Sequence, residues 1–146
     1  MSLNILIVSQ YFWPENFRIN ELSYELMKSG NNVTVLTGYP NYPNGEIYKD
    51  FKQTPEIFNQ YKGIEIIRVP VIPRGKKKAQ LLANYLSFTL NATIIGAIKL
   101  FKYEFDTVFV FQTSPILVGI PSYIISFIKK STQIIIFHLI FQGWRY

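Results

Sequence analysis

Near the start of the chain, Leu3-Asn4-Ile5-Leu6-Ile7-Val8-Ser9 forms an apolar run that breaks at once into Gln10-Tyr11-Phe12-Trp13-Pro14-Glu15-Asn16. A short apolar run without alternation is the pattern of a strand buried on both faces, as inside a parallel sheet. Parallel neighbours need a crossover, and residues 17–29 supply one. Ile19, Leu22 and Leu26 share one helical face there, while Glu21 and Glu25 fall off it. Gly30 stands where a helix-ending glycine belongs, and residues 32–37 form the next strand. Strand, helix and strand at this spacing predict a right-handed βαβ unit.

Further along, residues 38–63 are rich in Tyr, Pro and Asn, and loops of that length inside a domain are often functional. A third strand is expected at 64–69, closed by Pro70 and Pro73, then a helix at 79–102 and a buried strand at 107–111. A second apolar helix spans 116–129, with Lys129 and Lys130 against its C-terminal dipole, and a last strand covers 133–137. The expected fold class is α/β. Residues 1–146 form one domain, a Rossmann-like parallel sheet with helices on both faces. That length is enough for a sizeable core, and a hydrophobic content of 49% argues against disorder.

The absence of cysteine excludes a disulfide framework, a thiolate zinc site and cysteine catalysis, and fits a reducing, cytoplasmic location. A single histidine, His138, excludes a multi-histidine metal centre, so no metal is expected. Residues 1–10 lack the basic and cleavage features of a secretory signal.

The net charge of +6 favours anionic partners such as lipid headgroups, phosphorylated carriers or nucleic acid. Nucleic acid is disfavoured, because no reading motif is present and most basic residues are dispersed. One cluster, Arg74-Gly75-Lys76-Lys77-Lys78, directly precedes the helix at 79–102. By itself it reads as a solvated loop. With the apolar helix behind it, Arg74, Lys76, Lys77 and Lys78 become candidate contacts to a membrane surface. Polar residues such as Asn84, Ser87 and Asn91 interrupt that helix, and the helix at 116–129 is too short to span a bilayer. Packing against the sheet is the plainer expectation for both.

Ligands of doubly wound sheets bind beyond the carboxyl ends of the strands. No Gly-x-Gly occurs in the chain, so a dinucleotide fingerprint is absent, and so is a Gly-x-Ser-x-Gly elbow. The first turn instead carries Trp13, Glu15, Asn16 and Arg18. An aromatic face packs on a pyranose ring, while the polar side chains bind hydroxyls or phosphate beside helix amides. In the plainer alternative, Phe12 and Trp13 fill core and Glu15 complements the helix dipole. Tyr39-Pro40-Asn41-Tyr42-Pro43-Asn44-Gly45 leaves the second strand at the same edge, either as a rigid turn or as rim residues Tyr39, Asn41 and Tyr42. Gln112 and Ser114 emerge there too, with Ser114 also suited to cap the following helix.

Three segments, residues 10–19, the stretch Gly30-x-x-Val33-Thr34-Val35-Leu36-Thr37, and Pro40-Asn41-Tyr42-Pro43-x-Gly45, closely resemble the N-terminal half of GT-B glycosyltransferases of family 4. The match is best to the bacterial surface-polysaccharide branch that includes fucosamine-transferase-like enzymes of O-antigen, capsule and colanic acid synthesis. The resemblance implies a retaining transferase that moves a sugar from a nucleotide-sugar to a lipid-linked oligosaccharide at the inner face of the bacterial inner membrane. In that family the N-terminal domain receives the acceptor, and the C-terminal domain binds the nucleotide-sugar. This chain would thus be a truncated, acceptor-side half, inactive alone and holding no cofactor itself. Relatives continue into a Gln-Asp-Leu-Trp-Pro-Glu-like stretch where this chain reads His138-Leu139-Ile140-Phe141. A second reading is a non-catalytic, membrane-associated scaffold subunit of a split enzyme, whose donor domain is a separate polypeptide.

Overall fold

The computed structural model describes residues 1–112 and 116–137. Strand β1 (Asn4–Val8) is followed by α1 (Arg18–Lys28), β2 (Asn32–Gly38), the short helix α2 (Lys49–Gln53) and the two-residue β3 (Gln60–Tyr61). Then come β4 (Ile64–Val69), α3 (Lys78–Asn91), a π-type turn (Ala92–Gly96), α4 (Ala97–Lys99) and β5 (Thr107–Gln112), with α5 (Gly119–Lys129) and β6 (Thr132–Phe137) closing the series. The sheet order is β3-β4-β2-β1-β5-β6. Every pairing is parallel except that of β3 with β4.

The chain therefore steps outward from β1 through β2 to β4, then returns past β1 to lay down β5 on its other side. That reversal makes the carboxyl ends of β1 and β5 the switch point of the sheet, and β2 ends beside them. The turns expected to share one edge do leave from three adjacent parallel strands.

Period-two alternation splits the core into two layers. Ile5 and Ile7 of β1 face α1 together with Phe109 and Phe111 of β5, over Ile19. Leu6 and Val8 face the other way, with Val108 and Val110, against Phe88, Ala92, Leu100 and Ile125 of the helical layer. Phe12 and Phe88 are fully buried, one in each layer. Each such ring contributes about 2–3 kcal/mol of apolar burial. Helix α1 carries Glu21 in its first turn and Lys28 in its last, in the sense its dipole favours.

Two expectations are corrected. Residues 38–63 are not one open loop: α2, a 3₁₀ turn (Pro55–Phe58) and β3 occupy much of the segment. These pieces are too short for periodicity to reveal, and aromatic contacts hold them. Phe51 packs against Tyr39 and Phe58, with centroids 4.8 and 5.7 Å away. The helix expected at 79–102 is also not one regular rod, because it passes through the π turn. Within that turn Gly96 lies so close to the sheet that a Cβ there would sit 2.9 Å from Leu36 Cδ2.

Candidate functional site

The turn after β1 and the loop after β2 are joined by one buried carboxylate. Glu15 Oε1 accepts the backbone N–H groups of Asn41 and Tyr42, both at 2.8 Å, and Oε2 accepts that of Phe12 at 3.3 Å. Glu15 and Asn41, expected on one rim, are thus in direct contact, and both are buried. The Asn41 side chain continues the joint. Its Nδ2 donates to Tyr39 O, and its Oδ1 accepts Arg74 N at 2.9 Å. Asn20 locks the first turn from α1, donating to Glu15 O and accepting from Trp13 N. Both loops carry a cis peptide, Trp13–Pro14 and Tyr42–Pro43.

Withdrawal from water pushes the Glu15 carboxyl up to about 7, against the pull of its three backbone donors and of the Arg68 guanidinium. Arg68 is buried in β4 and donates to three carbonyls from three segments: Phe58 O, Gly38 O (each 3.1 Å) and Trp13 O. Burial lowers its own value to about 10, and Glu15 opposes that shift. Sequence reasoning passed over Arg68 as part of a strand. The signal was an arginine between Ile67 and Val69 in the buried half of a parallel strand, a position that demands buried acceptors.

A second polar knot ties this edge to α3. Asn84 Oδ1 accepts Gln10 Nε2 at 2.7 Å and the Tyr11 hydroxyl at 2.9 Å, while its Nδ2 donates to Ile72 O. Burial raises the Tyr11 hydroxyl well above its ordinary range. Among the described residues, Gln10 Oε1 is a buried acceptor with no hydrogen-bond partner. Asn84, noted in the sequence only as an interruption of an apolar helix, is what the helix uses to grip the end of β1.

Aromatic rings frame the exposed top of the joint. The Tyr42 ring lies 5.6 Å from Tyr11 and 5.1 Å from Phe17, and Arg74 Cζ stands 5.2 Å from its centroid. Beside them a cavity of about 430 Å³ is lined by Pro43, Asn44, Arg74, Gly75, Lys76 and Leu81. Its polar groups can bind an anion or hydroxyls.

The remaining expected residues divide. Trp13 is half-buried and packs on Phe58 and Tyr61, with centroids at 5.4 and 5.6 Å. Tyr39 packs on Phe51. Asn16 is exposed, and Arg18 lines a different groove, beside Glu21, Glu25 and Phe111. Gln112 is the last residue of β5, so its backbone reaches the same edge. Ser114 lies outside the described residues. Among the described residues, no group of three His, Cys, Asp or Glu is placed to hold a metal ion.

A scan of protein-family models finds no match to this chain, and a search of curated proteins finds none. Among solved structures, the chain is similar to the C-terminal domain (residues 83–215) of a hydrogenase from Pyrococcus furiosus. The TM-score is 0.59 at 16% identity, over 92% of this chain and 91% of that domain. A likeness at that identity shows the fold alone: an α/β domain with a mostly parallel sheet, of the Rossmann-like kind.

Proposed function

We propose that this chain is the acceptor-side domain of a GT-B glycosyltransferase of family 4, working in bacterial surface-polysaccharide synthesis. The observation that carries the reading is the Glu15 joint. The two segments that most resemble that family, residues 10–19 and 40–45, are the two that Glu15 fastens together at the carboxyl edge of the sheet. Their joint stands beside the basic cavity of Asn44, Arg74 and Lys76. A lipid-linked oligosaccharide would present its phosphate to Arg74 and Lys76. Its sugar would meet the half-buried faces of Tyr42 and the edge of Asn44. Glu15 and Asn41 act as positioning residues, since their polar atoms are committed to the loops.

The nucleotide-sugar would bind a donor domain, in the same polypeptide or in another, facing this edge. The acceptor hydroxyl oxygen then bonds to the anomeric carbon as the bond to the nucleotide diphosphate breaks, and the hydroxyl proton leaves with the departing diphosphate. No catalytic residue is assigned to this chain. Its part is to fix the acceptor for that step, which is a large share of what such a reaction needs. The working place would be the inner face of the bacterial inner membrane, where Arg74, Lys76, Lys77 and Lys78 meet anionic headgroups.

The test is binding of a short-chain prenyl-diphosphate disaccharide, followed by tryptophan fluorescence, against the same prenyl diphosphate without sugar. Saturable binding that is tighter with the sugar, and at least tenfold weaker in Arg74→Gln, is expected. Equal binding of both probes, or no effect of Arg74→Gln, removes the acceptor site from this edge.

A further inference from the structure

Helix α3, the π turn and α4 together turn a continuous apolar ridge outward. Leu82, Leu86, Leu90, Ile94 and Ile98 recur every four residues and are 42–70% exposed, although the opposite side of the same helix is buried on the sheet. Helix α5 packs beside α3 and the π turn and adds Ile120, Tyr123 and Phe127, the last 77% exposed. Phe101, also exposed, lies beside the end of α5, its carbonyl accepting Lys129 Nζ at 2.6 Å. Single exposed apolar residues need no explanation, whereas a face shared by two helices does.

Charge identifies what covers it. No Asp or Glu occurs from residue 66 to 103 or from 107 to 146, so both helices are free of acid. Lys76, Lys77 and Lys78 stand at one end of the ridge, and Lys99, Lys102, Lys129 and Lys130 at the other. The nearest carboxylates, Glu65, Glu104 and Asp106, stand at or just before the amino edge of the sheet, off both helices. Glu65 accepts the Tyr103 hydroxyl, and Asp106 accepts Asn4 N–H. A second copy of this chain would oppose lysine to lysine, which disfavours self-association. An anionic lipid surface satisfies both the apolar face and its basic borders.

By length and composition residues Lys78–Lys99 could cross a bilayer. Asn84, Phe88 and Ala92 hold that helix to the core, however, and Asn84 binds Gln10 and Tyr11. It can only lie flat.

We infer that the combined α3–α5 face is a membrane-docking surface on which the domain lies with both helices in the plane of an anionic bilayer. This extends the basic anchor of the proposed function to a second helix. It rests on that reading only for the choice of membrane and stands whether or not the domain binds a saccharide.

Because the chain has no cysteine, single cysteines report each position cleanly. Leu90→Cys, Phe127→Cys and, on the opposite face, Glu21→Cys are labelled with an environment-sensitive fluorophore. Each is mixed with vesicles of equal parts phosphatidylglycerol and phosphatidylcholine, or of phosphatidylcholine alone. The labels at 90 and 127 should shift to the blue and become shielded from an aqueous quencher on the anionic vesicles only, with the label at 21 unchanged. A triple variant, Leu90→Gln, Ile94→Gln and Ile98→Gln, alters exposed positions only, and its melting curve checks the fold. It should bind anionic vesicles at least tenfold more weakly.

A shift at 90 without one at 127 overturns the two-helix face, while leaving the lysine anchor standing. Equal shifts on both vesicle types remove the charge argument. A blue shift that grows with protein concentration in the absence of vesicles assigns the face to a second copy and overturns the inference.

Discussion

A carboxylate sealed into a loop junction answers to two opposed influences, and at Glu15 removal from water is the larger. Its carboxyl titrates near 7 rather than 4.5. Between those values the folded chain holds a proton that the unfolded chain has released. Stability therefore falls as pH rises through that window and levels off above it. The size is on the order of 3 kcal/mol. Glu15→Gln keeps the neutral shape and cannot ionise, so urea unfolding should show it gaining about that much on the parent between pH 5 and 7.5. A difference between the two proteins that does not change with pH would refute the assignment. A neighbouring position carries a steric constraint. Gly45 has φ +74°, and a Cβ on it would sit 1.8 Å from Arg74 O. Gly45→Ala should cost at least about 2 kcal/mol in urea unfolding, from the left-handed backbone and the forced separation of the two loops. It should also weaken acceptor binding, because Arg74 loses its seat over Tyr42.

At the scale of elements, Arg68 does for three segments what Glu15 does for two. Its guanidinium reaches carbonyls of the first turn, of the end of β2 and of the 3₁₀ turn before β3, so removal leaves three polar groups without their charged donor. Arg68→Met should cost about 3 kcal/mol or more in urea unfolding. Arg68→Lys should recover less than half, since an ammonium cannot span diverging acceptors in the way a planar fork does. A Met variant as stable as the parent would show that the loops hold without it. The elements also show where sequence reading succeeds. The bounds of β4 were legible to the residue, because its apolar run ends at Pro70. The positions of α1 and β5 came within a residue of expectation, from periodicity and from an uninterrupted apolar run. The roles of Arg68, Asn84 and Glu15 were not legible. Each depends on backbone or side-chain partners far along the chain, and no local pattern encodes a group brought near by the fold. The exposed ridge of α3 was hidden for a related reason. A helix this apolar, even with Asn84, Ser87 and Asn91 in it, looks core-like until the sheet has chosen which side to bury.

For the whole molecule, the order of strands and the position of the carboxyl edge follow from the first βαβ unit and the crossover to β5, and they separate two kinds of surface. One is the carboxyl edge, where Pro43, Asn44, Arg74 and Lys76 line a cavity and Arg74 stands over the Tyr42 ring. The other is the acid-free helical face beside it. Neither surface is suited to hold a nucleotide diphosphate in the manner of a Rossmann dinucleotide site. The turn after β1 is filled by Phe12, Trp13 and Pro14 where such a site needs glycines for close backbone approach. Departure of a diphosphate is assisted by donors preorganised around its developing charge. On the proposed function those donors belong to the donor domain. The purified chain should accordingly release no nucleotide from UDP-, GDP- or CMP-sugars above a protein-free blank, while still binding the prenyl-diphosphate disaccharide. Supplying a donor domain from a related enzyme, as a fusion or a separate chain, should restore transfer to that acceptor. Arg74→Gln should raise the KM for the acceptor and leave the KM for the donor unchanged. Nucleotide release by the chain alone would place donor chemistry on this domain and overturn the division of labour. An Arg74→Gln variant altered only in donor KM would move the acceptor to another surface.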